Sequence, residues 1–345
     1  MSDRVQMPLP LVTCVVPFLN EARHLPATLA SLAAQTLPHD RINVIGVDNG
    51  STDGSDALFE RWLTASGIAG RLLREPVRSI PRALNAAIGA ADPSHVIVRL
   101  DAHTIYAPDY LETIERAFAE LAEDVWCVGG APTPHLDVIG FGAALGVALY
   151  SNPLGLGPAD FRREYDRPVD VSTVYLGAWR PGVLQLMGGF DERFAINEDC
   201  ELTERIRRAG GRIVRIPVRA GRIATRGPLG TIAQWARYGF WRVQTLKRYP
   251  SAVRPRHVIA PFALLASVAL LLSPSRRAIV VLYAAYAAAT IRLRRAGEPP
   301  LVTLGSLAFF PLVHVGYAGG LLLGLVRSPG SLRSGARVRD RAADT

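Results

Sequence analysis

Between Leu11 and Leu100, short apolar runs rich in β-branched residues alternate with segments of helical period, and this rhythm narrows the possible folds more than any other feature. The runs Leu11–Val16, Asn43–Val47, Arg71–Leu73 and His95–Leu100 read as strands, and the segments Ala22–Ala34 and Asp53–Ala65 read as helices between them. Strands linked by crossover helices lie parallel, because each helix returns the chain to the edge from which the next strand starts. Pro81 and Pro108 stand where a first helical turn has no use for an N–H, and Gly50, Gly54 and Gly89 mark the ends of elements. The expected fold is α/β: a Rossmann-like, mixed but mostly parallel sheet flanked by helices, with its site in the loops at the C-terminal edge of the strands. From Val125 to Trp179 the sequence turns Gly- and Pro-rich with short strands. That stretch reads as the half of the domain that meets a second substrate.

Ordinary globular sequence gives way near Pro250 to three apolar stretches, Val258–Ser273, Ala278–Ile291 and Leu301–Val326, separated by Arg276-Arg277 and by Arg292-Leu293-Arg294-Arg295. At about 1.5 Å per helical residue, the third is long enough to cross a hydrocarbon core of about 30 Å. The first two are marginal for that length and fit thin spans, a hairpin or buried helices. Net charge is +9 over 345 residues, yet the basic residues after Arg205 are mostly arginines beside Trp, Tyr and apolar runs, and no RNA- or DNA-binding motif is present. An anionic membrane face is therefore the expected partner, and nucleic acid is not. Cys14, Cys127 and Cys200 form no CxxC and no metal-binding spacing, so they read as reduced structural thiols of a cytosolic domain. Met1 to Pro10 contains an early acid and two prolines and lacks a secretory apolar region, which places the first domain in the cytoplasm. The expected organisation is a catalytic domain over 1–226, an amphipathic interfacial helix over 227–257, membrane-embedded helices over 258–326 and a disordered basic tail over 327–345. Three crossings would put the Arg-rich tail outside and two would return it to the cytoplasm, and the sequence leaves both open.

Five segments carry chemistry. Val16-Pro17-Phe18-Leu19-Asn20-Glu21 follows an apolar strand and precedes a helix, so that Glu21 faces the sheet edge while Asn20 also suits a helix N-cap. Val47-Asp48-Asn49-Gly50-Ser51-Thr52-Asp53-Gly54-Ser55 holds more acceptors and glycines than a turn needs. Asp48 at a strand end can accept a base or ribose hydrogen, and Asp53 is either a ligand or an N-cap. Arg78, Arg82 and Asn85 surround one helix start, where the dipole and guanidinium groups attract a diphosphate, although a solvated basic face is the plainer alternative. Leu100-Asp101-Ala102-His103 ends an apolar strand and offers a carboxylate and an imidazole two residues apart, a pair that an extended strand would aim to one side for Mn²⁺ or, less readily, Mg²⁺. About a hundred residues on, Glu198-Asp199 opens a helix behind Gly189-Phe190-Asp191-Glu192. An acid there can cap the helix or serve as a base.

In this order the loops resemble the family 2 glycosyltransferases, inverting enzymes of GT-A fold that use nucleotide sugars, over Leu11 to about Tyr249. Within that family the sequence is most similar to the succinoglycan-type glucosyltransferases of bacterial exopolysaccharide assembly, which share the Asp-Ala-His form and a hydrophobic C-terminus. The resemblance implies that Pro17, Asn20, Glu21, Asp48 and Asp53 line the nucleoside site. It also implies that Asp101 and His103 occupy the Asp-x-Asp position for a divalent metal, and that Asp199 is the catalytic base. Gln234-Trp235-Ala236-Arg237-Tyr238 is similar to the family's Gln-x-x-Arg-Trp motif, with Tyr in place of the last Trp. Helical spacing puts Gln234, Arg237 and Tyr238 on one face, suited with Glu198 to an acceptor sugar or diphosphate, while Trp235, Phe240, Trp241 and Tyr249 beside Arg242, Lys247 and Arg248 suit a membrane interface. The implied activity is transfer of a hexose, glucose from UDP-glucose, to a polyprenyl-linked saccharide at the cytoplasmic face of the inner membrane. A Rossmann oxidoreductase would need a GxGxxG opening that is missing. A nucleotide-binding scaffold or transporter would favour ionisable groups inside the spans, where the third stretch holds only His314.

Overall fold

The computed structural model describes residues 11–131, 133–134, 140–156, 166–222, 227–273 and 277–327. The chain forms two compact units, one of Met1–His135, Asp160–Glu192 and Glu198–Ile223, the other of Leu136–Ala159, Arg193–Asn197 and Ala224–Thr345. The readings of Met1–Pro10 and of the tail past Arg327 lie outside the described residues.

In the first unit the strands are β1 Val12–Phe18, β2 Ile42–Asp48, β3 Ala69–Arg74, β4 Val96–Arg99, β5 Thr104–Tyr106, β6 Val125–Gly130, β7 Thr133–Pro134, β8 Val169–Asp170, β9 Tyr175–Trp179, β10 Arg212–Arg215 and β11 Ala220–Arg222. Eight of them form one sheet in the order β3-β2-β1-β4-β9-β6-β10-β8, and β5-β11-β7 form a small second sheet. In the large sheet β3, β2, β1 and β4 run parallel, whereas β9 is antiparallel to both its neighbours. The mixed, mostly parallel sheet expected from the sequence is present, and β9 accounts for the change of rhythm after Val125. Alternation along the strands sends Val12, Cys14, Val16, Val44, Val96 and Val98 to one face and Val15, Ile45, Val47 and Ile97 to the other. The first face is covered by α1 (Leu25–Ala33), α2 (Ser55–Ser66) and α4 (Tyr110–Glu120) through Leu29, Phe59 and Ile114. The second is covered by α3 (Ile80–Ala90), α7 (Val183–Leu186) and α8 (Glu198–Arg208) through Leu84, Leu184 and Leu202. Cys14 and Cys127 are buried on opposite faces, where burial pushes both thiols far above their ordinary range. Pro17 sits inside a central strand without breaking it, because pairing of β1 with β4 stops at Val15–Arg99 and the missing N–H would point beyond the end of β4.

The second unit holds α5 (Phe141–Ser151), α6 (Pro153–Leu156), α9 (Pro228–Arg248), α10 (Pro255–Leu272), α11 (Arg277–Arg292) and α12 (Pro300–Val326). The three apolar stretches are therefore helices, but α9 departs from an interfacial helix. Phe240, Trp241 and Tyr249 are buried, and Trp235 packs edge-on to Tyr238 and Tyr317. Backbone contact with α12 is the cause: Gly316, Gly320 and Gly324 recur every four residues along one side of that helix. A Cβ on Gly320 would stand 1.9 Å from the Ala236 carbonyl oxygen, and one on Gly239 would stand 2.2 Å from that of Tyr317. Lys247 Nζ donates to the carbonyls of Gly324 and Leu325 at 2.8 and 3.2 Å and closes the end of α12. Among the described helices α12 alone is long and apolar enough to cross a membrane, with 39% of its most apolar window buried within the protein. Large apolar side chains nevertheless stay exposed along all three helices, among them Ile259, Phe262, Val280, Val281, Leu301, Leu304 and Leu312.

Candidate active site

The C-terminal ends of β1, β2 and β4 carry the expected loops, and short polar side chains lock the first two together. Asn20 N–H donates to Ser51 Oγ at 3.0 Å, Thr52 N–H returns a bond to Asn20 Oδ1 at 2.8 Å, and Glu21 N–H donates to Ser55 Oγ at 2.9 Å. Asp53 Oδ2 accepts from the Ala22 amide, while its Oδ1 accepts from the amide and hydroxyl of Ser55. Partial burial pushes the Asp53 carboxyl up, but the Ser55 hydroxyl and the amides of Ala22 and Ser55 more than offset this and hold it below the usual carboxylate range. Asn20 does not cap α1, which starts only at Leu25, and it adopts φ 54°, a left-handed conformation that Asn tolerates. Asp53 is not the N-cap of α2 either, since Gly54 holds that place with φ 85°. Both residues were expected at the nucleoside, and their side-chain oxygens fasten one loop to the other. Asp48 ends β2, is buried and accepts from the Ser51 amide at 3.0 Å, which closes the turn after the strand. Ser51, Thr52 and Ser55 are the fasteners that the motif reading passed over, although their density in one loop was the available signal.

Asp101 and His103 lie in a turn between β4 and β5, so strand alternation does not aim them as expected. The turn is held otherwise: Asp101 N–H donates to the Tyr106 hydroxyl at 2.7 Å, and that hydroxyl donates to the Asp101 carbonyl at 3.2 Å. His103 Nδ1 lies 3.1 Å from Glu21 Oε1, while its Nε2 is buried without a hydrogen-bond partner among the described residues. A carboxylate on Nδ1 fixes the tautomer that leaves Nε2 as a bare lone pair, which is how metal-binding imidazoles are commonly oriented. No group of three or more His, Cys, Asp or Glu side chains that could hold a metal occurs among the described residues. Two protein donors nevertheless fit a Mn²⁺ or Mg²⁺ ion that completes its shell with phosphate and water, and the nitrogen donor favours Mn²⁺.

Asp199 is the second residue of α8, half-buried, and accepts from the Cys200 amide at 2.7 Å. Its neighbour Glu198, expected toward an acceptor, is buried and takes a 2.8 Å ion pair from Arg99, whose guanidinium also lies 3.5 Å from Asp101 Oδ1. Burial raises the Glu198 carboxyl, and the Asp199 charge adds to this, against Arg99. The two acidic sites, some hundred residues apart in sequence, thus meet at one arginine. Arg99 was missed, although an arginine closing an otherwise apolar strand was itself a signal.

Around α3 the residues expected to hold a diphosphate divide. Arg78 is exposed, and Arg82 lies 3.5 Å from Glu75 and 3.7 Å from Glu192. Asn85 is spent on the backbone: its amide donates to the Phe190 carbonyl at 2.9 Å, and its oxygen accepts from the Phe190 N–H at 2.8 Å. It thereby clasps the Gly188-Gly189 turn, whose φ values are +69° and +72° and which Arg205 of α8 also holds through the Gly189 carbonyl. In the second unit Gln234 Nε2 donates to the Tyr238 hydroxyl at 2.8 Å, and Arg237 is exposed, so the three share one face of α9 as the spacing requires.

A mixed sheet with nucleotide-type loops at its C-terminal edge and acids converging from β4 and α8 defines a GT-A architecture. Residues 13–133 match the model of Glycosyl transferase family 2. Over 210 residues the chain is 30% identical to the succinoglycan biosynthesis protein ExoA of Rhizobium meliloti (strain 1021), which covers 58% of this chain and 58% of that protein. The match thus spans less than two thirds of the relative's length. Among solved structures, the mannosyltransferase PcManGT from Pyrobaculum calidifontis, in complex with GDP-Man and Mn²⁺, superposes with a TM-score of 0.64 at 20% identity, over 92% of this chain and 87% of that one. S. aureus TarS 1-349 superposes at 0.52 and 13% identity over 94% and 92%. The likeness to glycosyl transferase family 2 thus lies over residues 13–133, about a third of the chain.

Proposed function

We propose that the protein is a metal-dependent inverting glycosyltransferase that moves a hexose, glucose from UDP-glucose, to a polyprenyl-linked saccharide during synthesis of an exopolysaccharide or envelope glycan. The observation that carries this reading is the junction at Arg99, which ties the strand end bearing Asp101 to the helix start bearing Asp199. In-line displacement needs those two functions on either side of the reacting carbon. Pro17, Glu21 and Asp48 line the nucleoside, with Asn20 and Asp53 holding the loops that shape its site. Asp101 and His103 would hold the divalent ion, which when bound neutralises charge developing on the diphosphate. Arg78 and Arg82 add positive charge at the start of α3. Asp199 takes the proton of the acceptor hydroxyl as its oxygen bonds to the anomeric carbon. The bond from that carbon to the diphosphate oxygen breaks with its electron pair leaving on the phosphate, and the anomeric centre inverts.

The succinoglycan relative supports the pathway class, and the solved neighbour with GDP-Man and Mn²⁺ supports a nucleotide-sugar donor and a divalent metal. Exposed apolar side chains on α10, α11 and α12, bounded by Arg292, Arg294 and Arg295, support attachment to the inner membrane with the first unit in the cytoplasm. A donor screen tests the reading: purified full-length protein, Mn²⁺ or Mg²⁺, a panel of nucleotide sugars and a crude polyprenyl-linked saccharide extract, read by mass spectrometry. One hexose added to a lipid-linked saccharide from UDP-glucose is the expected product. Transfer from no nucleotide sugar would overturn the reading.

A further inference from the structure

We propose that α12 does not cross a membrane but lies in the plane of one leaflet, with its outward stripe among the acyl chains of anionic phospholipid and its other side on the protein. The proposal rests on the membrane attachment proposed for the second unit. Leu301, Leu304, Leu312, Val315, Leu322 and Val326 are 46% to 81% exposed, and their spacing puts all six on one side of the helix from its first turn to its last. The polar side chains of α12 face the other way. Thr303 and Ser306 are buried, His314 Nε2 lies 2.9 Å from the Leu154 carbonyl oxygen of α6, and Tyr317 packs against Trp235 of α9. A helix divided in this manner along its whole length fits an apolar phase that meets it from one direction.

The covered side argues against a crossing. Ile232, Ala236 and Phe240 of α9 meet Gly316, Gly320 and Gly324 of α12 in turn, so the two helices run side by side in register. Along that stretch and just past it α9 carries Arg237, Arg242, Lys247 and Arg248, of which Arg237, Lys247 and Arg248 are exposed. Upright insertion of α12 would draw this helix and its cations into hydrocarbon, where ionisable side chains are strongly disfavoured. Lying flat, α12 keeps α9 on the side away from the acyl chains. Charge favours the same placement: exposed Arg292, Arg294 and Arg295 precede α12, and exposed Lys247, Arg248 and Arg327 stand at its far end. A flat helix brings both groups to anionic headgroups of one leaflet. The interfacial place expected of α9 thus passes to α12, and the chain leaves α12 on the face where it entered.

The experiment uses the full-length protein bound to vesicles of phosphatidylcholine with about 25% phosphatidylglycerol. On a Cys200→Ser background, with Cys14 and Cys127 buried, a nitroxide is attached after Leu304→Cys, Leu312→Cys or Leu322→Cys, and its depth is read from relaxation by oxygen and by a nickel chelate. In the plane of the leaflet the three depths should agree within about 5 Å. A crossing, at about 1.5 Å per residue, would carry Leu312 more than about 10 Å deeper than Leu304 and Leu322, and that result overturns the proposal. So does a stripe shielded from both reagents in bound protein, as burial against a second copy would give. Labelling in cells with a membrane-impermeant maleimide gives an independent reading at Arg295→Cys and Arg327→Cys, one before α12 and one after it. Both should react from the same face, the cytoplasmic one exposed in inverted membrane vesicles, and reaction from opposite faces overturns the proposal. Protein that sediments with neither lipid vesicles nor cell membranes would remove the attachment and this placement with it. Bound protein with Leu312 deepest would leave the attachment standing and remove the flat placement alone.

Discussion

His103 shows how one side chain can be prepared for a ligand. Its Nδ1 is engaged by Glu21 and its Nε2 has no partner among the described residues, so an ion held with Asp101 would meet a lone pair already oriented. Glu21→Gln should weaken Mn²⁺ binding by about 10–100-fold, the range for outer-shell partners, while Asp101→Ala should weaken it more because it removes the charge. Isothermal titration with Mn²⁺ alone and with UDP checks both, and equal affinity in all variants would remove the metal assignment. Asp101 and His103 were legible as a pair from residue type, but their aim was not. An extended strand would aim both to one side, but β4 ends at Arg99, so the pair sits in a turn held by the Tyr106 hydroxyl, a contact that spacing does not reveal.

At the scale of elements, the strands of the parallel half were readable because each is a period-2 apolar run, whereas the loops between them were read one at a time and function as pairs. Asn20, Ser51, Asp53 and Ser55 bond across 31 to 34 residues, and nothing in a single loop announces a partner that distant. The lowered pKa of Asp53 gives this strap a pH dependence. A carboxyl whose folded value lies below its unfolded one adds stability above the unfolded value, and that contribution is lost as pH falls through the folded value. Acid unfolding of wild type should therefore lose a component that Asp53→Asn lacks, as followed by thermal denaturation between neutral and acid pH. Asn85 makes the corresponding clasp between α3 and the Gly188-Gly189 turn. Asn85→Ala leaves the Phe190 N–H and carbonyl unpaired and should cost about 1–3 kcal/mol. Gly189→Ala should be worse in kind, since its Cβ would lie 2.5 Å from Asn85 Oδ1 at a φ of +72°. Denaturant melts of the two variants measure this, and unchanged midpoints would show the clasp to be unimportant.

Across the whole molecule, composition marked the change near Pro250, but it could not show that α9 shares a unit with the apolar helices. The reason is the glycine seam: Gly316, Gly320 and Gly324 look unremarkable in an apolar run until α9 lies against them. Gly320→Val should break that contact by overpacking, at a cost of about 1–3 kcal/mol or more, and should make α9 sensitive to limited proteolysis while nucleotide binding by the first unit persists. The same seam means that a chain cut after Pro250 loses the partner of α9. Liposome flotation of the full chain should show binding that strengthens with anionic lipid, as exposed apolar side chains flanked by arginines require. The proposed reaction itself turns on Asp199 acting as the base. The most direct test compares wild type with Asp199→Asn for transfer of hexose from UDP-glucose to a polyprenyl-linked saccharide, with UDP-glucose binding measured by calorimetry on the same preparations. The account predicts that turnover falls by about 10²–10⁴-fold while donor affinity stays within about threefold. Wild-type transfer by Asp199→Asn would contradict it.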